Sequence, residues 1–489
     1  MPGKSHFIMN QWITGSGSEF TSADPATGRH TWSGRHADAG EVQRAVEAAR
    51  DAFEGWADLA PERRIDRLEI FGAQLGAHRE ELAHAISLDT GKPHWESLTE
   101  IKAMQGKIGL SIRAYRERCG PVSGESGRDR TWIRYRPHGV VAIFGPFNLP
   151  GHLPNAHIVP ALIAGNTVVF KPSRQAPLVA DKTARLWEAA QLPPGVFNMV
   201  QCDRDTSMAL AVNRDVRGLF FTGSVAGGKA IHRAVAGNPG KILALEMGGN
   251  NPLVVHEVAD VHAAAYLTVQ SAFITSGQRC TCARRLIVPK DAQGDSFIGS
   301  LKSLMGKIRV GAFTEHPEPF MGPVISVQTA EDLLAAQAEL VSKGAVPIVP
   351  MVRLDRPGAF LSPGLIDVTE VKNRSDVEFF GPMLQTIRVP DFDAALHEAD
   401  NTAFGLAAGL LSDRKDLYER FLHTVRAGII NWNRQITGAS GALPFGGIKD
   451  SGNHRPSGYF AADYCSYPIA SIEAEITAFP ESRTPGIDV

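Results

Sequence analysis

From Val140 onward the chain alternates short apolar runs with longer stretches of helical periodicity, and this alternation restricts the fold more than any other feature. The runs Val140 to Phe144, Thr167 to Lys171, Phe197 to Val200, Gly218 to Phe221 and Lys241 to Leu245 are short and β-rich, separated by helical stretches. That alternation predicts a parallel sheet covered by helices. A second alternating region extends from Asn251 to about 445, with runs at Pro252 to Val255, Leu286 to Pro289 and Ala408 to Leu411. A chain of 489 residues exceeds what one core holds, roughly 250 to 300 residues, so two α/β domains are expected. In such sheets ligands bind beyond the carboxyl ends of the strands, where helix N-termini present free amides. The segments directly after the strands are therefore the most informative about function.

Ahead of this region the chain reads as helical. Asp38 with Glu41 forms a capping-box pattern, and Val42, Val46, Ala49 and Phe53 follow at helical spacing, predicting a helix over about 40 to 55. A second helix is expected to begin after Pro61, carry Ile65, Leu68 and Leu75, and stop before Gly91-Lys92-Pro93. Between Gly120 and Pro137 a glycine-rich stretch leads into Thr131-Trp132-Ile133-Arg134-Tyr135-Arg136, which alternates like an exposed hairpin strand in need of a partner. The chain has no internal repeat and no low-complexity tract.

Composition excludes several function classes. A net charge of -2 provides no positive field to gather nucleic acid or anionic lipid, so neither is an expected partner. The five cysteines, Cys119, Cys202, Cys280, Cys282 and Cys465, are odd in number and scattered, which favours reduced thiols and a cytoplasmic location. The first residues lack the apolar stretch of a secretory signal. Ile158 to Phe170, the longest apolar segment, is interrupted by Pro160, Gly165 and Asn166 and falls short of the roughly 20 residues that span a bilayer. A packed enzyme or binding protein, away from membranes, is the expectation.

Three local features carry chemistry. Cys280 lies in Ser276-Gly277-Gln278-Arg279-Cys280-Thr281-Cys282. A thiol with pKa near 8.5 is only about 3% ionised at neutral pH, so a nucleophile needs positive potential or a base; Arg279 or a helix dipole is a candidate source. A buried structural cysteine and a metal pair with Cys282 are the alternatives, although no second Cys or His pair supports zinc. Glu246 closes an apolar strand before Met247-Gly248-Gly249-Asn250-Asn251-Pro252, where a carboxylate stands at a cleft with room for backbone approach, or simply in a turn. Phe221-Thr222-Gly223-Ser224-Val225-Ala226-Gly227-Gly228 passes from strand to helix, and its amides can face a phosphate.

Seven ordered segments together resemble the aldehyde dehydrogenase superfamily over nearly the whole chain. They are Gly145-Pro146-Phe147-Asn148-Leu149-Pro150, Lys171-Pro172-Ser173, Phe221-Thr222-Gly223-Ser224, Leu245-Glu246-Met247-Gly248-Gly249, Gly277-Gln278-Arg279-Cys280, Glu378-Phe379-Phe380-Gly381-Pro382, and Pro444-Phe445-Gly446-Gly447. The resemblance implies an α/β fold with a Rossmann-like cofactor domain over 1–119 and 138–246, a catalytic α/β domain over 247–445, and a small β oligomerisation element from 120–137 and 446–489. It implies a homodimer or a dimer of dimers. It also implies a nucleophile at Cys280, an oxyanion held by the Asn148 amide and the Cys280 N–H, and a thioester hydrolysed by water that Glu246 activates. Cofactor contacts carried over in the same way are Lys171 and Ser173 for the adenosine side, Gly223, Ser224 and Gly228 for the pyrophosphate, and Glu378 and Phe380 for the nicotinamide side. No metal is implied. Many NAD-preferring members have an acid where Arg174 stands, and a guanidinium there could accept a 2'-phosphate, so NAD is expected with NADP as the alternative.

Three less common runs narrow the resemblance to one branch of the family. They are Pro150-Gly151-His152-Leu153-Pro154-Asn155, Met247 to Pro252 taken with Gln278 to Arg285, and Ser451-Gly452-Asn453-His454-Arg455. Phe147 and Asn250 stand where most members carry Trp and Lys. The branch implies a semialdehyde with two further carboxylates, so cationic or amide donors are expected around the substrate: Arg279, Arg434 and Asn433 first, then His152 and Arg455. Dehydrogenation of glutamate or succinate semialdehyde is the runner-up. A non-catalytic binding protein on this fold is opposed by the joint presence of Cys280, Glu246 and Asn148.

Overall fold

The computed structural model describes residues 3–126, 129–479 and 484–487. The tip of the expected hairpin, 127–128, and 480–483 and 488–489 of the expected β element lie outside the described residues.

The apolar runs form two seven-stranded sheets. In the first, Ile242–Met247, Val216–Gly223, Val140–Phe144, Thr167–Lys171 and Phe197–Met199 lie side by side in parallel, and the antiparallel pair His6–Ile8 and Gln11–Ile13 completes one edge. Strand order reverses at Val140–Phe144, whose neighbours are the next strand of the alternation on one side and a later one on the other. That reversal opens a crevice beyond the carboxyl ends, which is where ligands bind in open parallel sheets. Apolar cores fill both faces of this sheet, one around Phe71, Ile158, Phe170 and Trp187 and one around Val46, Val169 and Leu219.

Gly248, Gly249 and Asn250 alone separate this sheet's last strand from Asn251–Val255, the first strand of the second sheet. There Asn251–Val255 lies between Ala283–Pro289 and Ala407–Leu411, and pairing is parallel except at the Val346–Val349 edge. A three-stranded antiparallel sheet joins Val122–Ser126, Asp129–Pro137 and Ser466–Glu473. The exposed strand expected near 131 thus finds its partner in the C-terminal segment. The chain beyond 446 also enters the first core, where Ala461, Tyr464 and Cys465 are buried.

The first helix spans Ala39–Ala57, with Asp38 and Glu41 forming the full capping box. The single helix expected after Pro61 is two, Pro61–Ala77 and Arg79–Thr90. His78 leaves helical geometry between them, and its own N–H satisfies the Gln74 carbonyl that the break would orphan. Gly91 then stops the second in the left-handed conformation, as expected. A longer helix, His94–Arg118, follows. No helix among the described residues is long and apolar enough to cross a membrane.

Candidate active site

Cys280 sits on an unusual turn. Thr275, Ser276 and Gly277 take three consecutive positive φ angles of 56°, 53° and 70°. A β-branched residue in that region is strained, so neighbours must hold it. Thr275 Oγ1 donates to Glu96, the Ser276 hydroxyl donates to the Gly322 carbonyl at 2.7 Å, and Gln278 accepts from Ile325 N–H at 2.9 Å. A Cβ at Gly277 would lie 2.1 Å from the Gly381 carbonyl oxygen, so only glycine fits there. Arg284, fully buried, donates to the Gly277 carbonyl at 2.6 Å and the Arg279 carbonyl at 3.0 Å. From the other side, the Asn251 amide donates to the carbonyls of Cys280 and Cys282 at 2.7 and 2.8 Å.

Burial, with Glu378 and Glu246 nearby, pushes the Cys280 thiol up to about 12. The cation that opposes this is Arg284, not the adjacent Arg279. Arg279 spends its charge on the buried Glu96, 2.8 Å away. The Cys282 thiol is wholly buried and donates to the Ile274 carbonyl.

Glu246 lies at the end of strand Ile242–Met247. Its Oε1 accepts from the Ser457 N–H at 3.3 Å, while Oε2 is sealed from solvent with no partner. Burial raises its pKa well above the usual carboxylate range, against the pull of the Ser457 and Gly447 amides. A carboxyl group so placed is suited to accept a proton near neutral pH. The Ser451-Gly452-Asn453 run latches this strand: the Asn453 side chain bonds Leu245 N–H and Leu243 C=O, both at 2.9 Å, and Ser451 C=O accepts from Met247 N–H.

Asn148 is buried on the loop after Val140–Phe144, and its side-chain amide has no partner among the described residues. The loop rests on a buried ion pair. Lys92 pairs with Glu100 and also donates to the Asn148 carbonyl at 3.0 Å, while Glu100 accepts from the Gly151 and His152 amides. In Lys92→Met, Glu100 keeps its charge without a counter-ion, which is expected to cost about 3–5 kcal/mol. A urea midpoint unchanged from wild type would contradict this.

Cys280, Asn148, Arg279 and His152 line one cavity of about 210 Å³. Arg434 and Arg455 are exposed and do not line it. Asn433 is also outside, with both ends of its amide bound to the Ser412 backbone at 2.9 Å. A polar residue beside an apolar strand gives no sign in sequence of whether it faces a ligand or the backbone, which is why these two neighbours, Asn433 and Arg434, were reasonable expectations. Lys92, Glu100 and Arg284 went unassigned in the sequence because their partners lie far along the chain.

The expected cofactor residues gather along the carboxyl edge of the first sheet. Ser224 caps helix Val225–Val235 by accepting from Gly227 N–H, leaving the Val225 and Ala226 amides without intrahelical partners. A Cβ on Gly228 would lie 2.2 Å from the Met247 sulfur, so glycine lets the helix end close against the strand carrying Glu246. Lys171 is half-buried with its ammonium 5.8 Å from the Phe144 ring, and Ser173 accepts from Gln175 N–H. Glu378 comes from the loop before strand Met383–Val389 of the second sheet, accepts from Gly249 N–H at 3.2 Å, and would collide with any side chain at Gly248. Phe380 meets Phe147 edge to face, with Arg284 5.4 Å from its ring. A glycine cradle, open helix amides and a carboxylate closing the far end fit a dinucleotide.

The aldehyde dehydrogenase family model matches residues 12–468, and the chain belongs to that family. Within it, the chain is 54% identical over 483 residues to the N-succinylglutamate 5-semialdehyde dehydrogenases of Pseudomonas fluorescens and Ectopseudomonas mendocina, with 99% of each chain covered. Solved structures similar to it include an NADP-dependent glyceraldehyde-3-phosphate dehydrogenase from Bacillus halodurans complexed with NADP, at 26% identity and TM-score 0.88, covering 97% of this chain and 99% of that one. Another is betaine aldehyde dehydrogenase from Staphylococcus aureus in complex with NAD+, at 25% identity and TM-score 0.90, covering 96% and 94%.

Proposed function

We propose that the chain oxidises N-succinyl-L-glutamate 5-semialdehyde to N-succinyl-L-glutamate with a nicotinamide cofactor, in the cytoplasm. The observation that carries this reading is the 54% identity, end to end, with two relatives bearing that name. In this reading the Cys280 sulfur attacks the aldehyde carbon, and the developing oxyanion takes hydrogen bonds from the Asn148 amide and the Cys280 N–H. When bound, the oxidised dinucleotide supplies the acceptor for the hydride that leaves the substrate carbon. Gly223, Ser224 and Gly228 would hold its pyrophosphate, Lys171 and Ser173 its adenosine side, and Glu378 and Phe380 its nicotinamide side. Glu246 then takes a proton from the water that hydrolyses the thioester on Cys280. The unpartnered Glu246 Oε2 supports that role.

Arg174 is exposed, beside Lys171, where an acid would repel a 2'-phosphate. NAD remains our proposed cofactor, and parallel assays with NAD and NADP decide it. A homodimer or dimer of dimers through the three-stranded sheet accords with the exposed Val122, Ile133 and Ile472 on its strands.

Asn148→Ala is expected to lower kcat by about 10²- to 10³-fold, the usual effect of removing one oxyanion donor. A change confined to KM would argue against that role. The substrate reading is tested by kcat/KM on N-succinylglutamate semialdehyde against glutamate and succinate semialdehydes. Equal or reversed preference overturns it.

A further inference from the structure

The helix His94–Arg118 turns one stripe toward the substrate cavity, formed by Glu96, Thr99, Glu100, Ala103 and Lys107 at spacings of three and four. Among the charged residues on the cavity wall, Glu100 is matched by Lys92 and Glu96 by Arg279. Lys107 has no such match. Its residue is 3% exposed, and its ammonium donates to one group, the Gly458 carbonyl, at 2.6 Å. An ammonium carries three donors, so two remain unused among the described residues. No carboxylate among the described residues pairs with it; desolvation, opposed by the buried Cys465 thiol, lowers its pKa to about 8, which leaves it mostly charged at neutral pH. On the same cavity wall lies His152, whose ring has no hydrogen bond and a buried Nδ1; burial first, and then the charges of Lys107, Arg279 and Lys92, hold it neutral.

A buried cation without a counter-charge is costly unless a ligand supplies one. With Glu100 paired to Lys92 behind the lining and Glu96 to Arg279, Lys107 is the one charge on the lining without an ion-pair partner among the described residues, between its helix and the Ser457-Gly458 loop. We propose that Lys107 is the specificity residue that binds a carboxylate of the substrate, donating to it alongside its bond to Gly458, with His152 on the same wall. This deepens the substrate reading above and rests on it. It also replaces Arg279, Arg434 and Asn433 as the principal anion donor, since the first is paired and the other two lie outside the cavity.

The test compares kcat/KM for N-succinylglutamate semialdehyde with that for its dimethyl ester, its neutral analogue, in wild type, Lys107→Met and Lys107→Arg. Wild type is expected to prefer the diacid. Lys107→Met is expected to reduce that preference by about 10- to 100-fold, mainly through KM, and Lys107→Arg to retain most of it. A wild-type preference that survives in Lys107→Met overturns the role of Lys107 while leaving the substrate reading intact. No wild-type preference overturns the substrate reading, and this proposal with it. A crystal structure of wild type with N-succinylglutamate gives an answer independent of how the variants fold: a carboxylate within hydrogen-bond distance of Lys107 Nζ supports the proposal, and both carboxylates bound elsewhere overturn it.

Discussion

Cys280→Ala is expected to lose turnover by roughly 10⁴-fold or more, because the bond that holds the acyl group can no longer form. The substitution removes one sulfur from a turn whose shape is set elsewhere. Thr275, Ser276 and Gly277 are fixed by Glu96, Gly322 and the close approach of Gly381, and the residue 280 carbonyl by Asn251. None of those bonds uses the thiol. Dinucleotide affinity, followed by fluorescence titration, is therefore expected to stay within about threefold of wild type, since a lost side-chain contact of a few tenths of a kcal/mol changes binding by no more. Turnover within tenfold of wild type would remove Cys280 from the chemistry.

Glu246→Gln is expected to separate the two halves of the reaction. An amide keeps the shape of the carboxyl group and an oxygen that can accept from the Ser457 N–H, so the strand and its latch by Asn453 persist. What it loses is basicity. Steady-state turnover should fall by about 10²- to 10⁴-fold, the range that general-base catalysis supplies. Acylation should still proceed, giving one burst of reduced cofactor per active site followed by a slow phase. A variant with neither burst nor slowed steady state would place the base elsewhere.

Much of the fold was legible because its signals are local. Successive apolar residues such as Val140 to Phe144 can be buried only as central strands, and Asp38 with Glu41 closes a capping box within a single turn. The break at His78 was hidden because no proline marks it and both flanking helices keep apolar periodicity. Cys280 and Glu246 were legible as candidates from their own segments, but local sequence left structural readings open for both; their roles, and Asn148 altogether, came from the resemblance carried by the seven ordered segments. The supports of the site were not legible. Lys92 beneath Asn148, Arg284 behind Cys280 and Asn453 against Leu245 act across long separations in the chain, and each is an ordinary polar residue in its own neighbourhood. The substrate side misled for the same reason: Arg279 was an expected substrate donor, but Glu96, far along the chain, takes its charge, and Lys107 was not singled out because the Gly458 carbonyl it meets lies equally far away.

The central claim is that one thiol carries the acyl group and Glu246 releases it. The direct measurement is peptide mapping by mass spectrometry of Glu246→Gln after mixing with N-succinylglutamate semialdehyde and NAD. The account predicts an increment equal to the substrate's acyl group, localised by fragmentation to Cys280 rather than Cys282 within their shared peptide and removed by hydroxylamine. An adduct on Cys282 or another cysteine, or an unmodified enzyme that has nonetheless reduced its cofactor, would contradict it.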